Sequence, residues 1–219
     1  MEKFREYRTG CILLVVFIVF TVLVRCVSVQ PIGPENSAVG FAKLNGAVFR
    51  GLGVHHAWYV FTEILGYLAI VLALVFVVLA LIQCVKRRGF RHMDREVKAL
   101  IGLYIAAVIL YVFFEVVVVN CRPVLIDGVL EASYPSSHTM LSLCILGSAL
   151  RFFHEEIKTR NLRLTAEAVT AVVMILLVVG RLLSGVHWFT DVIGGVLLGA
   201  ALVSLYYFAC RAGEGKEAS

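Results

Sequence analysis

Charge is scarce in this sequence. Asp, Glu, Lys and Arg make up 16% of its 219 residues, against roughly a quarter in an ordinary soluble domain. Proline, glycine and serine gather nowhere into a linker, and no internal repeat divides the chain, so one integral membrane domain is expected over residues 1–219. The six cysteines show neither a CxxC pair nor the spacing of a small secreted framework. Only Cys26 and Cys121 fall near one outer surface, where a disulfide would be possible. No small-x-small cleavage site closes the first apolar run, because Arg25 and Cys26 intervene, and Cys11 precedes that run instead of following it. A cleaved signal and a lipoprotein signal are both disfavoured, and a retained first helix is expected. The net charge of +5 comes with no basic-aromatic stripe and no nucleic-acid motif, so no nucleic-acid partner is expected.

Apolar residues take up what charge leaves free. They form 60% of the chain, and the mean hydropathy is +0.91. They lie in six stretches: Cys11 to Val29, Trp58 to Val85, Val97 to Cys121, Ser137 to Phe153, Leu164 to Leu183 and Trp188 to Cys210. Each approaches the ~20 residues that cross a bilayer core. Lipid offers the backbone no hydrogen bonds, so the stretches are read as helices and the fold as an all-α bundle of six transmembrane helices. Of the 20 lysines and arginines, all but Arg25, Lys43, Arg50, Arg122 and Arg181 fall on the side of the N-terminus. The positive-inside rule then places both termini in the cytoplasm. The long outer loop from Gln30 to Ala57 carries Phe41, Leu44, Val48 and Leu52 at near-helical spacing, which fits either an interfacial helix or a packed cap.

That topology brings three clusters to one membrane face: Asn120-Cys121-Arg122-Pro123, Tyr134-Pro135-Ser136-Ser137-His138, and Gly180-Arg181 with His187-Trp188-Phe189-Thr190-Asp191. Arginine forks suit phosphate oxygens. Ser136 fits the N-cap of the fourth helix, whose first amides and dipole favour an anion. His138 stands in that first turn. His187 and Asp191 are four apart and share a face if helical, and a carboxylate beside an imidazole sets its tautomer. The bland readings are helix capping for the histidines and interface anchoring for the arginines. A metal held by His138, His187 and Asp191 would be repelled by two neighbouring arginines. His55, His56 and His154 read as solvated. Tyr134, Trp188 and Phe189 are expected in the interfacial aromatic belt, and Gly194, Gly195 and Gly199 at close helix contacts.

Arg122-Pro123, then Pro135-Ser136-Ser137-His138, then Arg181, His187 and Asp191 together resemble the three-part signature of the type 2 phosphatidic acid phosphatase (PAP2) superfamily, relatives of vanadium haloperoxidases. Ser137 replaces the usual Gly of the second part. The resemblance implies that His187 attacks phosphorus to form a phosphohistidine, with Asp191 holding its tautomer. His138 serves as acid and then base, while Arg122, Arg181, Ser136 and Ser137 bind the phosphoryl group; neither metal nor cofactor is required. The chain departs from the pattern at Glu115, where the family has Lys. Three readings of Glu115 stand open: a partner for Arg122 or Arg181, a proton relay or substrate selector, or the mark of a site without activity. Glu63, another carboxylate within an apolar run, has no evident partner.

The resemblance implies a multi-pass protein of the plasma membrane with its site on the outer face. Its substrate would be a lipid phosphate or diphosphate of the undecaprenyl diphosphate, phosphatidylglycerophosphate or phosphatidic acid type. A lipid phosphotransferase and a non-enzymatic binder or transporter of anionic lipids are the alternatives.

Overall fold

The computed structural model describes residues 2–212. Seven α-helices run through them: α1 (Glu2–Cys26), α2 (Ala42–Leu52), α3 (His56–Lys86), α4 (Arg95–Val116), α5 (Ser137–Glu156), α6 (Arg160–Leu183) and α7 (Phe189–Arg211). A two-residue antiparallel pair, β1 (Gln30–Pro31) with β2 (Ala38–Val39), folds the α1–α2 connection back on itself. The prolines, Pro31, Pro34, Pro123 and Pro135, all lie outside the α-helices, Pro34 opening a single 3-10 turn, where a missing N–H breaks no helical ladder.

Among the described residues, α1, α3, α4, α6 and α7 are long and apolar enough to cross a membrane. Large side chains such as Val16, Leu68, Ile109 and Ile175 point outward from them, as lipid-facing residues do. The fourth expected span forms a helix, α5, but not one with the composition of a span. It packs against α3, α4, α6 and α7 and buries Thr139, Ser142, Ser148 and Arg151. It lies antiparallel to α4. At one end Ser137 and Met140 share a crevice with Tyr111 and Phe114; at the other, Arg151 Nη2 donates to Glu96 Oε1 over 2.6 Å. Arg211 Nη1 lies 2.7 Å from Glu6 Oε1, so α1 begins and α7 ends on the same side. The expected basic residue Lys216 lies outside the described residues.

The third span ends earlier than the sequence suggested, at Val116 and not Cys121. Val116 to Val119 are β-branched and Pro123 follows, a composition that favours extended backbone. Arg25 Nη2 takes the Val118 carbonyl at 2.7 Å, and Cys121 bridges to Ala132. Residues 117–136 thus fold over the bundle end as an irregular hairpin.

The connection between α1 and α3 is a packed cap. Asn45, fully buried on α2, donates through Nδ2 to the Gly40 carbonyl at 2.7 Å and to Thr190 Oγ1 at 2.9 Å, and its Oδ1 accepts from Thr190 N at 3.1 Å. Phe49 packs on Trp188 with ring centroids 5.4 Å apart. The expected aromatic belt is therefore corrected at two positions: Tyr134 and Trp188 are 1% and 2% exposed. Each ring is drawn inward by a partner for its polar atom. Tyr134 Oη pairs with Thr21 Oγ1 at 2.8 Å, and Trp188 Nε1 donates to the Cys121 carbonyl at 2.8 Å. All six cysteines are free, Cys26 and Cys121 included.

The glycines of α7 behave as expected. A Cβ at Gly194 would meet the Tyr134 ring, and one at Gly199 would meet Leu143. At Gly195 it would lie 2.8 Å from the Ser136 carbonyl and 2.9 Å from Thr139 Cβ. Neither can yield without moving the start of α5. Gly195→Ala should cost about 1–3 kcal/mol and lower the melting midpoint in detergent. Gly102→Ala, in open space on α4, should leave it unchanged. Equal midpoints for the two variants would contradict the close approach.

Candidate active site

The site forms where α5, α6 and α7 meet the folded-over segment. α6 ends at Leu183, and the chain turns through Gly185 at φ 72, where a Cβ would lie 2.6 Å from the Gly53 carbonyl. His187 sits in this turn, 3% exposed. Its Nδ1 lies 3.2 Å from the Ser133 carbonyl. A carbonyl only accepts, so the partner assigns the proton to Nδ1 and leaves the lone pair on Nε2. Arg181 Nη2 approaches that Nε2 at 3.4 Å.

Asp191 is buried in the first turn of α7 but is not the hydrogen-bond partner of His187. Its Oδ1 accepts from Asn120 Nδ2 and its Oδ2 from Trp188 N, each at 3.0 Å, while Oδ2 stands 4.0 Å from His187 Nδ1. The reason is local: His187 precedes the helix, so the four-residue spacing does not place both groups on one helical face. Asp191 instead pins the entry to α7 and presents negative charge to the ring from a distance.

Burial pushes the His187 pKa well below the ordinary 6.5, and the positive charges of Arg181, Arg122 and His138 act in the same direction. The ring therefore stays neutral as pH falls through 6.5. The unfolded chain would protonate this ring near 6.5 while the folded one does not, so stability falls as pH drops from about 6.5 towards the depressed folded value. In ¹⁵N-histidine-labelled protein, the signal lost in His187→Ala should keep a neutral, Nδ1-protonated pattern at pH 6. Titration of that signal at or above pH 6.5 would contradict the buried neutral ring.

The second cluster builds the start of α5. Ser136 is its N-cap, as expected. Its amide donates to the Asp191 carbonyl at 2.9 Å, and its Oγ accepts from Thr139 Oγ1 at 3.0 Å. The hydroxyl is thus used within the helix turn, while half-buried Ser137 shares a crevice with His187 and Glu115. His138, also half-buried, places Nε2 3.2 Å from Glu63 Oε1.

Arg181 is fully buried. Its Nη1 donates to Glu63 Oε1 at 2.8 Å and to Thr62 Oγ1 at 3.3 Å, and its guanidinium lies over the Tyr59 ring. Arg122 places Nε 2.9 Å from Glu131 Oε2, too poorly aligned for a hydrogen bond. Among the described residues, Arg122 Nη1 and Arg181 Nε are buried N–H groups without an acceptor. Permanently charged, unpartnered donors beside a neutral imidazole are equipment for an anion.

Glu115 departs from the expected pairing. It is exposed at the crevice rim and joins neither arginine, whose carboxylate partners are Glu131 and Glu63. Because α4 stops at Val116, Arg122 does not lie two helical turns beyond Glu115. Sequence reasoning assigned no role to Ser133, Asn120 or Asn45, whose contributions are a backbone carbonyl and buried amides. Glu63 did carry a signal, as a carboxylate inside an apolar span must find a partner.

This is a helical membrane bundle with a cationic, histidine-containing site at one end. The chain belongs to the PAP2 superfamily, whose model matches residues 99–212, from α4 through α7. Its fold is similar to the crystal structure of the first transmembrane PAP2-type phosphatidylglycerolphosphate phosphatase from Bacillus subtilis. The TM-score is 0.65 at 16% identity, covering 91% of this chain and 94% of that one. Among curated proteins, none matches the sequence.

Proposed function

We propose that this protein is a membrane lipid phosphatase that cleaves a phosphomonoester or diphosphate through a phosphohistidine on His187. The carrying observation is the His187 ring: buried, neutral, with its Nε2 lone pair beside Arg181 and its Nδ1 proton held by Ser133. In the first step Nε2 attacks phosphorus and the bond to the lipid oxygen breaks. That oxygen takes a proton from the His138 imidazolium. The attacking ring becomes positive, and the Ser133 carbonyl and the Asp191 carboxylate, 4.0 Å away, stabilise that charge. In the second step His138 accepts a proton from water as the water oxygen attacks and the P–N bond breaks. Arg122, Arg181 and the start of α5, with Ser136 and Ser137, stabilise the phosphoryl oxygens in both steps. The scheme calls for no metal.

The reading includes α5 as a sixth crossing, with both termini cytoplasmic and the site at the outer face of the cell membrane. The basic residues at the opposite end, among them Arg87, Arg95, Arg163 and Arg211, support that orientation. Glu115, where the family has Lys, leaves the rim less cationic and acts as a selector among lipid headgroups.

The test is phosphate release by purified protein, with a metal chelator present, from a panel of lipid mono- and diphosphates. Release that requires His187 supports the phosphatase and ranks the headgroups. Transfer to an acceptor other than water would identify a phosphotransferase. Lipid binding without release would identify a binding protein.

A further inference from the structure

We infer that Glu63, a residue of α3 outside the segment that matches the family, is a positioning residue that orients the leaving-group acid His138 and holds Arg181 beside the nucleophile. The inference rests on the phosphatase reading above.

One carboxylate oxygen makes both contacts. Glu63 Oε1 lies 2.8 Å from Arg181 Nη1 and 3.2 Å from His138 Nε2. Arg181 Nη2 in turn lies 3.4 Å from His187 Nε2, so acid, carboxylate, arginine and nucleophile form one chain of contacts. The surrounding face of α3 fits the same purpose. Tyr59, Thr62, Glu63 and Gly66 follow helical spacing and share that face. Tyr59 and Thr62 contact Arg181. At Gly66 a Cβ would come within 3.1 Å of His138 Cδ2, so the missing side chain leaves room for the imidazole.

The geometry assigns the proton. With the Nε2–H of the His138 imidazolium held by Glu63, the Nδ1–H is the one transferred to the lipid oxygen as the P–O bond breaks. A carboxylate that served only to neutralise Arg181 in the membrane would have no need to touch His138.

Two classes of substrate separate these roles. An alkyl phosphate, such as a lipid phosphate, leaves as a strongly basic oxygen and needs the proton. p-Nitrophenyl phosphate leaves as a stable phenolate and does not. Glu63→Gln should lower kcat/KM on the lipid phosphate about 10–100-fold; this ratio reads the steps through P–O cleavage and not the later step in which His138 acts as base. The loss on p-nitrophenyl phosphate should be no more than about threefold, because the acid contributes little there. His138→Ala should show the same pattern in kcat/KM at larger size, while its kcat falls on both substrates because hydrolysis of the phosphohistidine needs the base. If the Gln variant does not fold, Glu63→Asp retains the charge and should show the same substrate pattern at smaller size.

Equal losses of kcat/KM on both substrates, or wild-type values on both, would overturn the Glu63 inference alone if the kcat/KM of His138→Ala still discriminates between them. If His138→Ala also fails to discriminate, the acid assignment falls and the inference with it. If wild-type protein releases no phosphate, the phosphatase reading itself fails.

Discussion

His187→Ala is expected to abolish phosphate release, by about 10⁴-fold or more. In the proposed mechanism the ring donates the attacking lone pair, from an Nε2 that lies 3.4 Å from Arg181 Nη2. The substitution leaves the Ser133 carbonyl without its partner, at a cost of about 1–3 kcal/mol. Most of the surrounding network is independent of the ring: Asp191 keeps Asn120 and Trp188, and Asn45 keeps Thr190. The variant should therefore fold with a modestly lower melting midpoint and still bind lipid phosphate. Brief exposure of wild-type protein to ³²P-labelled substrate should yield an acid-labile, base-stable phosphoprotein that the variant does not form. Turnover within tenfold of wild type would remove His187 from the nucleophile's role.

Arg181→Lys should lower kcat/KM by about 10²–10³-fold, although the charge is kept. The guanidinium serves Glu63 and Thr62 from Nη1 and His187 from Nη2, and has Nε to spare for a phosphoryl oxygen. An ammonium presents its donors from a single point and cannot span these partners. Glu63 would also lose its short contact at partial burial, so stability should fall as well. Steady-state rates and vanadate inhibition report the loss of phosphoryl binding, and thermal melting reports the loss of the ion pair. Rates within threefold of wild type, with only the midpoint lowered, would reduce Arg181 to a structural counterion.

Much of this was legible in the sequence. The apolar runs located the five spans, since a run of that length in lipid has one backbone solution. The arginines, His138, His187 and Asp191 met at one end because alternating helices place their connections there. Three features escaped for physical reasons. α4 ended early because a valine run before a proline leaves the helix, although its apolarity continues. Tyr134 and Trp188 turned inward because their partners, Thr21 and a Cys121 carbonyl, are distant in sequence. The clamp on His187 is the carbonyl of Ser133, an atom that every residue possesses and no motif can mark. Glu63 was visible as a costly carboxylate, but its partners became evident only when α3 packed on α5 and α6.

The polarity of α5 bears on how the chain enters the membrane. A helix carrying His138, Ser142, Ser148 and Arg151 partitions poorly into lipid by itself, since polar side chains find no partners in hydrocarbon. Two of the helices that bury it, α6 and α7, are still unmade when α5 leaves the ribosome. As the proposed sixth crossing, α5 would have to be held at the insertion machinery, or against α3 and α4, until its later neighbours arrive. Its final placement is an act of assembly more than of solvation, and damage to α7 should expose α5 to membrane quality control before it is felt in catalysis.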